Sequence, residues 1–150
     1  MVRGLCRKTG SQATGDLSKR GTTVVNQHCS MQLSRSLTEI VRARRWLSDQ
    51  LDAQGWVTVD QQRDALVMVS ELVTNALEHT TSAASVEVTR TAEGLRVGVH
   101  DDGVGWPSIV PSPSPRASGN GLRIVAAWSA AWGVHSDPAG GKTVWFSIPG

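Results

Sequence analysis

The sequence predicts a two-layer α/β sandwich, with long helices covering one face of a mixed, mostly antiparallel sheet. Three observations predict it. Two stretches, one near residues 38–54 and one from about 59–61 to 79–81, carry apolar residues at the spacing of amphipathic helices. Residues 85–99 alternate apolar and polar on both sides of a short turn, as a β-hairpin does, and the chain closes on a further alternating run through Val144, Phe146 and Ile148. Helices with one apolar stripe and strands with one apolar face bury those surfaces by layering on each other.

Length and composition bound the rest. A chain of 150 residues, 39% hydrophobic and 19% charged, fits one domain and holds no apolar run near the roughly 18 residues of a membrane helix. A domain of about this size buries about 70% of its unfolded surface, so its core needs neither metal nor disulfide. Cys6 and Cys29 stand outside any CxxC or Cys/His ligand spacing, so they read as reduced thiols and the protein as cytoplasmic. Residues 1–36 hold six basic side chains (Arg3, Arg7, Lys8, Lys19, Arg20, Arg35) against one acid, Asp16. That local charge of +5 leaves −3 for the remainder of a chain whose total is +2. The basic residues are scattered among Gly, Ser and Thr without aromatics. Residues 1–30 therefore read as a solvated, disordered basic leader and not as a nucleic-acid surface, and residues 31–150 as the folded domain. The first ten residues lack the apolar stretch of a secretory signal.

The elements follow in order. Leu37, Ile40, Val41, Leu47 and Leu51 mark a first helix over Thr38 to Gln54, with Ser36 or Thr38 as cap, Gly55 as stop and Arg42, Arg44 and Arg45 on its wet face. Ala65, Leu66, Val69, Leu72, Val73, Ala76 and Leu77 mark a second, beginning after Thr58 or Asp60 and ending near His79 to Thr81. Ser85 to Arg90, the Ala92-Glu93-Gly94 turn and Leu95, Val97 and Val99 form the hairpin. Pro107, Pro111, Pro113 and Pro115 exclude a regular element from the next stretch. Gly119-Asn120-Gly121 opens a third helical pattern through Leu122, Val125, Ser129 and Trp132, closed by Gly133. A short Val134-His135 strand, a Pro138 to Gly141 turn and the alternating run complete the domain. The six tryptophans read as packing residues.

Three polar groups stand out against this pattern. Glu71, Asn75 and His79 recur every fourth residue of the second helix and so share one side of it, beside the apolar stripe. A carboxylate there can take a proton and an amide oxygen can ligate Mg²⁺; a wet helix edge would carry the same residues. Asp101-Asp102-Gly103-Val104-Gly105 follows a strand end, where glycines let a ligand approach the backbone. Gly119-Asn120-Gly121-Leu122 precedes a helix, whose free N–H groups suit phosphate. Gly140-Gly141-Lys142-Thr143 mimics the end of a P-loop, but that motif needs a glycine where Ser136 stands and a helix afterwards. His28, His100 and His135 have no carboxylate or cysteine at ligand spacing and read as isolated.

Taken in order, ELVTNALEH (71–79), DDGVG (101–105), GNGLRIV (119–125) and GKTVWFSIP (141–149) resemble the GHKL ATPase superfamily, which groups gyrase, a heat-shock chaperone, histidine kinases and a mismatch-repair protein. The resemblance covers about residues 31–149 and is nearest to the small stand-alone anti-sigma factor serine/threonine kinases. It implies the Bergerat-type ATP-binding fold, with nucleotide between the helix layer and a lid formed by the Pro/Ser segment, residues 106–118. It implies Glu71 as general base and Asn75 as the Mg²⁺ ligand bridging to the phosphates. Asp101 becomes the adenine-reading carboxylate over a floor shaped by Gly103 and Gly105. Gly119, Asn120, Gly121 and Leu122 become the phosphate-side loop, with His79 nearer the lid and Thr143 near the adenine. Arg116 is the lid's single cation, and Gly141-Lys142 stands where family members often carry Gly-Thr. Lys142 reads as a solvated strand residue, with an approach to the phosphates as its alternative.

These implications predict an Mg²⁺·ATP-dependent kinase acting on a serine or threonine of a partner, by analogy an anti-sigma factor antagonist, with a sigma factor as a further partner. Homodimerisation is common in the family, and a membrane or nucleic acid is not expected as a partner. Without a separate dimerisation helix bearing a phosphoacceptor histidine, the chain does not read as a complete sensor histidine kinase. Two alternatives stay open. One is a non-catalytic nucleotide-binding module that sequesters its partner; the other is a simple ATPase.

Overall fold

The computed structural model describes residues 5–9, 26–79, 84–103, 120–138 and 140–149. Nine elements form in the order β1 (Leu5–Thr9), β2 (Asn26–Leu33), α1 (Thr38–Gln54), α2 (Val59–His79), β3 (Ala84–Thr91), β4 (Gly94–Asp101), α3 (Asn120–Trp128), β5 (Ala131–Ser136) and β6 (Lys142–Pro149). The six strands make one sheet in the order β1-β2-β3-β4-β6-β5. Each of its five pairings is antiparallel, so among the described residues the expected mixed sheet carries no parallel pair.

The register follows from strand alternation. Val86 stands opposite Met31 of β2 and Val99 of β4, and Val99 in turn opposite Val144 of β6. These side chains share the face that the helices cover, where Leu33, Val86, Val88, Val97, Val99 and Phe146 are buried with Leu47 and Leu51 of α1 and Met68, Val69 and Val73 of α2. The opposite face is polar, with His28 bonded to Thr89 at 2.9 Å and the Arg96 guanidinium 3.8 Å over the Trp145 ring. The two-layer sandwich is therefore as the sequence predicts.

Local chemistry sets the helix ends. Thr58 and Gln61 form a reciprocal capping box: the Gln61 N–H donates to Thr58 Oγ1 at 3.2 Å and the Thr58 N–H to Gln61 Oε1 at 2.9 Å. At the start of α1 the N-cap position is Leu37, and Ser36 Oγ instead accepts from the Thr38 N–H at 3.3 Å. Gly55 ends α1 in the left-handed region at φ 61°, its N–H returning to the Leu51 carbonyl at 3.0 Å.

Four expectations are corrected. The leader assigned to residues 1–30 contains β1 and most of β2. Cys29, Met31 and Leu33 alternate into the core and continue the sheet beyond β3, a run too short to stand out between polar neighbours. Cys29 is not a reduced thiol: it is disulfide-bonded, and the β1–β2 register sets Cys6 opposite it. The third helix stops at Trp128, and Trp132 belongs to β5 opposite Phe146; sheet pairing overrides a helical spacing that extended one turn too far. Val41 is half exposed on α1, whose buried stripe is Ala43, Trp46, Leu47 and Leu51.

Candidate functional site

The long helix α2 carries the first half of the site. Its buried residues Met68, Val69, Leu72, Val73 and Ala76 face the sheet, and this fixes the rotation of the whole element. Glu71 and Asn75 are both half-buried on its flank, about 6 Å apart along the axis as a four-residue step requires. His79 is the last residue of α2, and its side chain lies outside the described residues.

Helix α3 brings the second half to Glu71. Buried Leu122 and Val125 anchor it, and its first turn passes so close to α2 that a Cβ on Gly121 would lie 2.7 Å from Glu71 Oε2 and 3.0 Å from Glu71 Cβ. Glycine at 121 is what permits the approach. The fold thus places the Glu71 carboxylate beside the opening turn of a helix, where unpaired N–H groups and the helix dipole favour a phosphate. Asn120 begins α3. Its side chain lies outside the described residues, as do Gly105, Arg116, Gly119 and the whole lid segment 106–118.

The third part is the end of β4. Asp101 is 2% exposed, and its Oδ1 accepts the Gly103 N–H at 2.7 Å. The same oxygen accepts from Lys142 Nζ at 2.9 Å, and Lys142 Nζ stands 3.5 Å from the Gly103 carbonyl. Asp101 and Lys142 are directly opposite in the β4–β6 register. Gly141, at φ 82°, lies against the Asp101 backbone so closely that a Cβ would overlap the Asp101 carbonyl oxygen.

Lys142 is thus neither a solvated strand residue nor a ligand held out toward the first turn of α3: at 6% exposed it forms a buried ion pair with Asp101. The reason is parity, because residue 142 falls on the same face as Val144, Phe146 and Ile148. That signal was present in the sequence. Parity also moves Thr143 to the other face, where its hydroxyl donates to Asp137 Oδ2 at 3.0 Å and lies 3.3 Å from His100 Nδ1. The fold brings Gly121 against Glu71, with Asn75 one turn further along α2 and Leu122 next in α3, sets Asp101 on the helix-facing side of the sheet with the Gly103 N–H bonded to it, and leaves Thr143 behind it.

The histidines are not isolated in space. On the outer face His100 Nδ1 stands 2.5 Å from Asp137 and its Nε2 3.2 Å from Asp102, while His135 Nε2 is 3.6 Å from Asp137. His28 Nε2 lies 3.8 Å from Glu87. Even so, among the described residues no group of three or more His, Cys, Asp or Glu is arranged to hold a metal ion. A Mg²⁺ that arrives with phosphates needs fewer protein ligands, and the amide of Asn75, one turn along α2 from Glu71, fits that chemistry.

Comparison with known proteins gives the family. The model of the histidine kinase-, DNA gyrase B- and HSP90-like ATPases matches residues 60–150. The chain is also similar to the sensor histidine kinase PdtaS of Mycolicibacterium smegmatis, 32% identical over 106 residues. That match takes in 63% of this chain and 21% of PdtaS, so the chain spans about a fifth of that relative's length. No described helix is long and apolar enough to cross a membrane.

Proposed function

Because the chain belongs to the family of histidine kinase-, DNA gyrase B- and HSP90-like ATPases, we propose that it binds Mg²⁺·ATP between α2, α3 and the end of β4 and phosphorylates a partner protein. In this reading the acceptor is a serine or threonine hydroxyl of an anti-sigma factor antagonist, a sigma factor is a further partner, and the reaction runs in the cytoplasm, where ATP is abundant. The observation that carries it is the close approach of Gly121 to Glu71, which puts a proton acceptor at the turn suited to phosphate.

Phosphoryl transfer depends on positioning and on neutralising charge more than on covalent chemistry by the protein, so few residues are needed. Bound Mg²⁺·ATP supplies the phosphoryl group and the cation that neutralises its oxygens. Asn75 would hold the cation, the first turn of α3 would cradle the phosphates through its N–H groups, and Asp101 would accept from the base amine. Glu71 takes the proton of the incoming hydroxyl as its oxygen bonds to phosphorus, and ADP leaves with the bridging oxygen.

Calorimetry with ATP and ADP, with and without Mg²⁺, tests the binding half. Wild type is expected to bind with Mg²⁺-dependent affinity for ATP, and Asp101→Asn to lose binding; a wild type that ignores millimolar nucleotide overturns the reading. Labelled ATP with an anti-sigma factor antagonist as acceptor tests the rest. Acid-stable phosphoprotein supports the kinase, acid-labile phosphohistidine or free phosphate alone overturns it, and binding without product favours the sequestering module.

A further inference from the structure

Buried lysines are rare unless paired, and Lys142 is paired in a way that leaves hydrogen-bonding capacity on both partners. Asp101 uses Oδ1 for both of its described donors, the Gly103 N–H and Lys142 Nζ. Among the described residues Oδ2 has no such donor assigned to it. A lysine ammonium has three donors and no acceptor; one is spent on Asp101, and a second reaches the Gly103 carbonyl only at 3.5 Å. The pair therefore offers an acceptor and a charged donor side by side, held by adjacent antiparallel strands.

We propose that Lys142 is a specificity-determining residue of the nucleotide site and donates to ring nitrogen N1 of adenine while Asp101 Oδ2 accepts from the N6 amine. The inference rests on the nucleotide reading above. The edge of adenine carries a donor and an acceptor next to each other, the complement of this pair. Guanine carries the reverse, an acceptor at position 6 and a donor at N1. It would set an oxygen against the carboxylate and an N–H against an ammonium that cannot accept. Burial sharpens the choice, since an unmatched polar group there has no water to turn to. A neutral hydroxyl at 142 would donate or accept and discriminate less. The long lysine stem also explains how a β6 residue reaches the carboxylate while its backbone keeps register with β4.

The experiment compares ADP with 1-deaza-ADP, in which N1 is replaced by C–H and the N6 amine is kept, by calorimetry on the full chain. Wild type is expected to bind 1-deaza-ADP about tenfold more weakly, the scale of one hydrogen bond from a charged donor. In Lys142→Met that ratio should fall toward one, and in Lys142→Thr to an intermediate value. Equal wild-type affinity for the two ligands overturns the role of Lys142 and leaves the nucleotide site standing. Failure of wild type to bind either ligand, or ATP, overturns the nucleotide reading itself. Where a substitution at 142 prevents folding, equal wild-type affinity for the two ligands still overturns the proposal.

Discussion

Glu71 and Asp101 divide the proposed chemistry, one beside the first turn of α3 and one buried at the end of β4. If Glu71 is the base, Glu71→Gln should keep ADP affinity within a few-fold and reduce transfer by about 10²–10⁴, the usual contribution of a positioned proton acceptor. Calorimetry and phosphoprotein yield on one preparation separate the two effects, and wild-type transfer by the variant removes Glu71 from the role. Asp101 is tied to structure as well as to ligand, because it holds Lys142 and the Gly103 turn together. Removing one partner of such a buried pair strands the other charge, which is why Asn, which keeps an acceptor, is the better probe at 101 than Ala.

At the scale of elements, the site depends on how α2 and α3 meet. Gly121→Ala would push the Glu71 carboxylate aside through the 2.7 Å approach, so transfer should fall more than ADP affinity; an equal fall in both would show a general disturbance of α3. The start of α2 depends on the Thr58–Gln61 box. Thr58→Ala should lower stability by about 1 kcal/mol in urea unfolding followed by circular dichroism. Because the two bonds are reciprocal, adding Gln61→Ala should cost less than it does alone. The start of α2 after Thr58 or Asp60 and its buried face were legible in the sequence, whereas Gln61 as the partner of Thr58 became visible only in the structure. The end of α3 was not, since Trp132 fits a helical stripe and a strand equally, and pairing with Phe146 decides between them.

For the molecule as a whole, the disulfide at Cys29 is the feature that composition most misjudged. A core large enough not to need a cross-link does not forbid one, and whether two cysteines meet depends on which strands pair. Titration of denatured protein purified without reductant should find no free thiol, and two after reduction; free thiols from the start would contradict the cross-link. The result also bears on the cytoplasmic proposal, because disulfides are rare in reducing compartments. At this same scale Leu37, Val41, Val59 and Trp128 are exposed apolar side chains on a surface where such residues are ordinary.

The periodic segments are where local chemistry and burial agree. The spans of α1 and α2, the β3–β4 hairpin and the layering of helix on sheet could be read directly, because a spacing of three and four or of two records which side faces apolar surroundings. The four ordered motifs added the family, and with it the roles proposed for Glu71, Asn75 and Asp101. Tertiary structure alone decided which residues meet across the chain. Strand β2 extends into the presumed leader because β3 has an edge to pair. Cys6 and Cys29 face each other because β1 adds to β2. His100 and His135 share Asp137 because β4 and β5 flank β6. Lys142 meets Asp101 because antiparallel register sets those two positions opposite each other, and β6 parity turns Lys142 inward and Thr143 out. A periodic pattern encodes one element's preferred face, whereas a contact between distant residues is fixed only when two such faces select their register together.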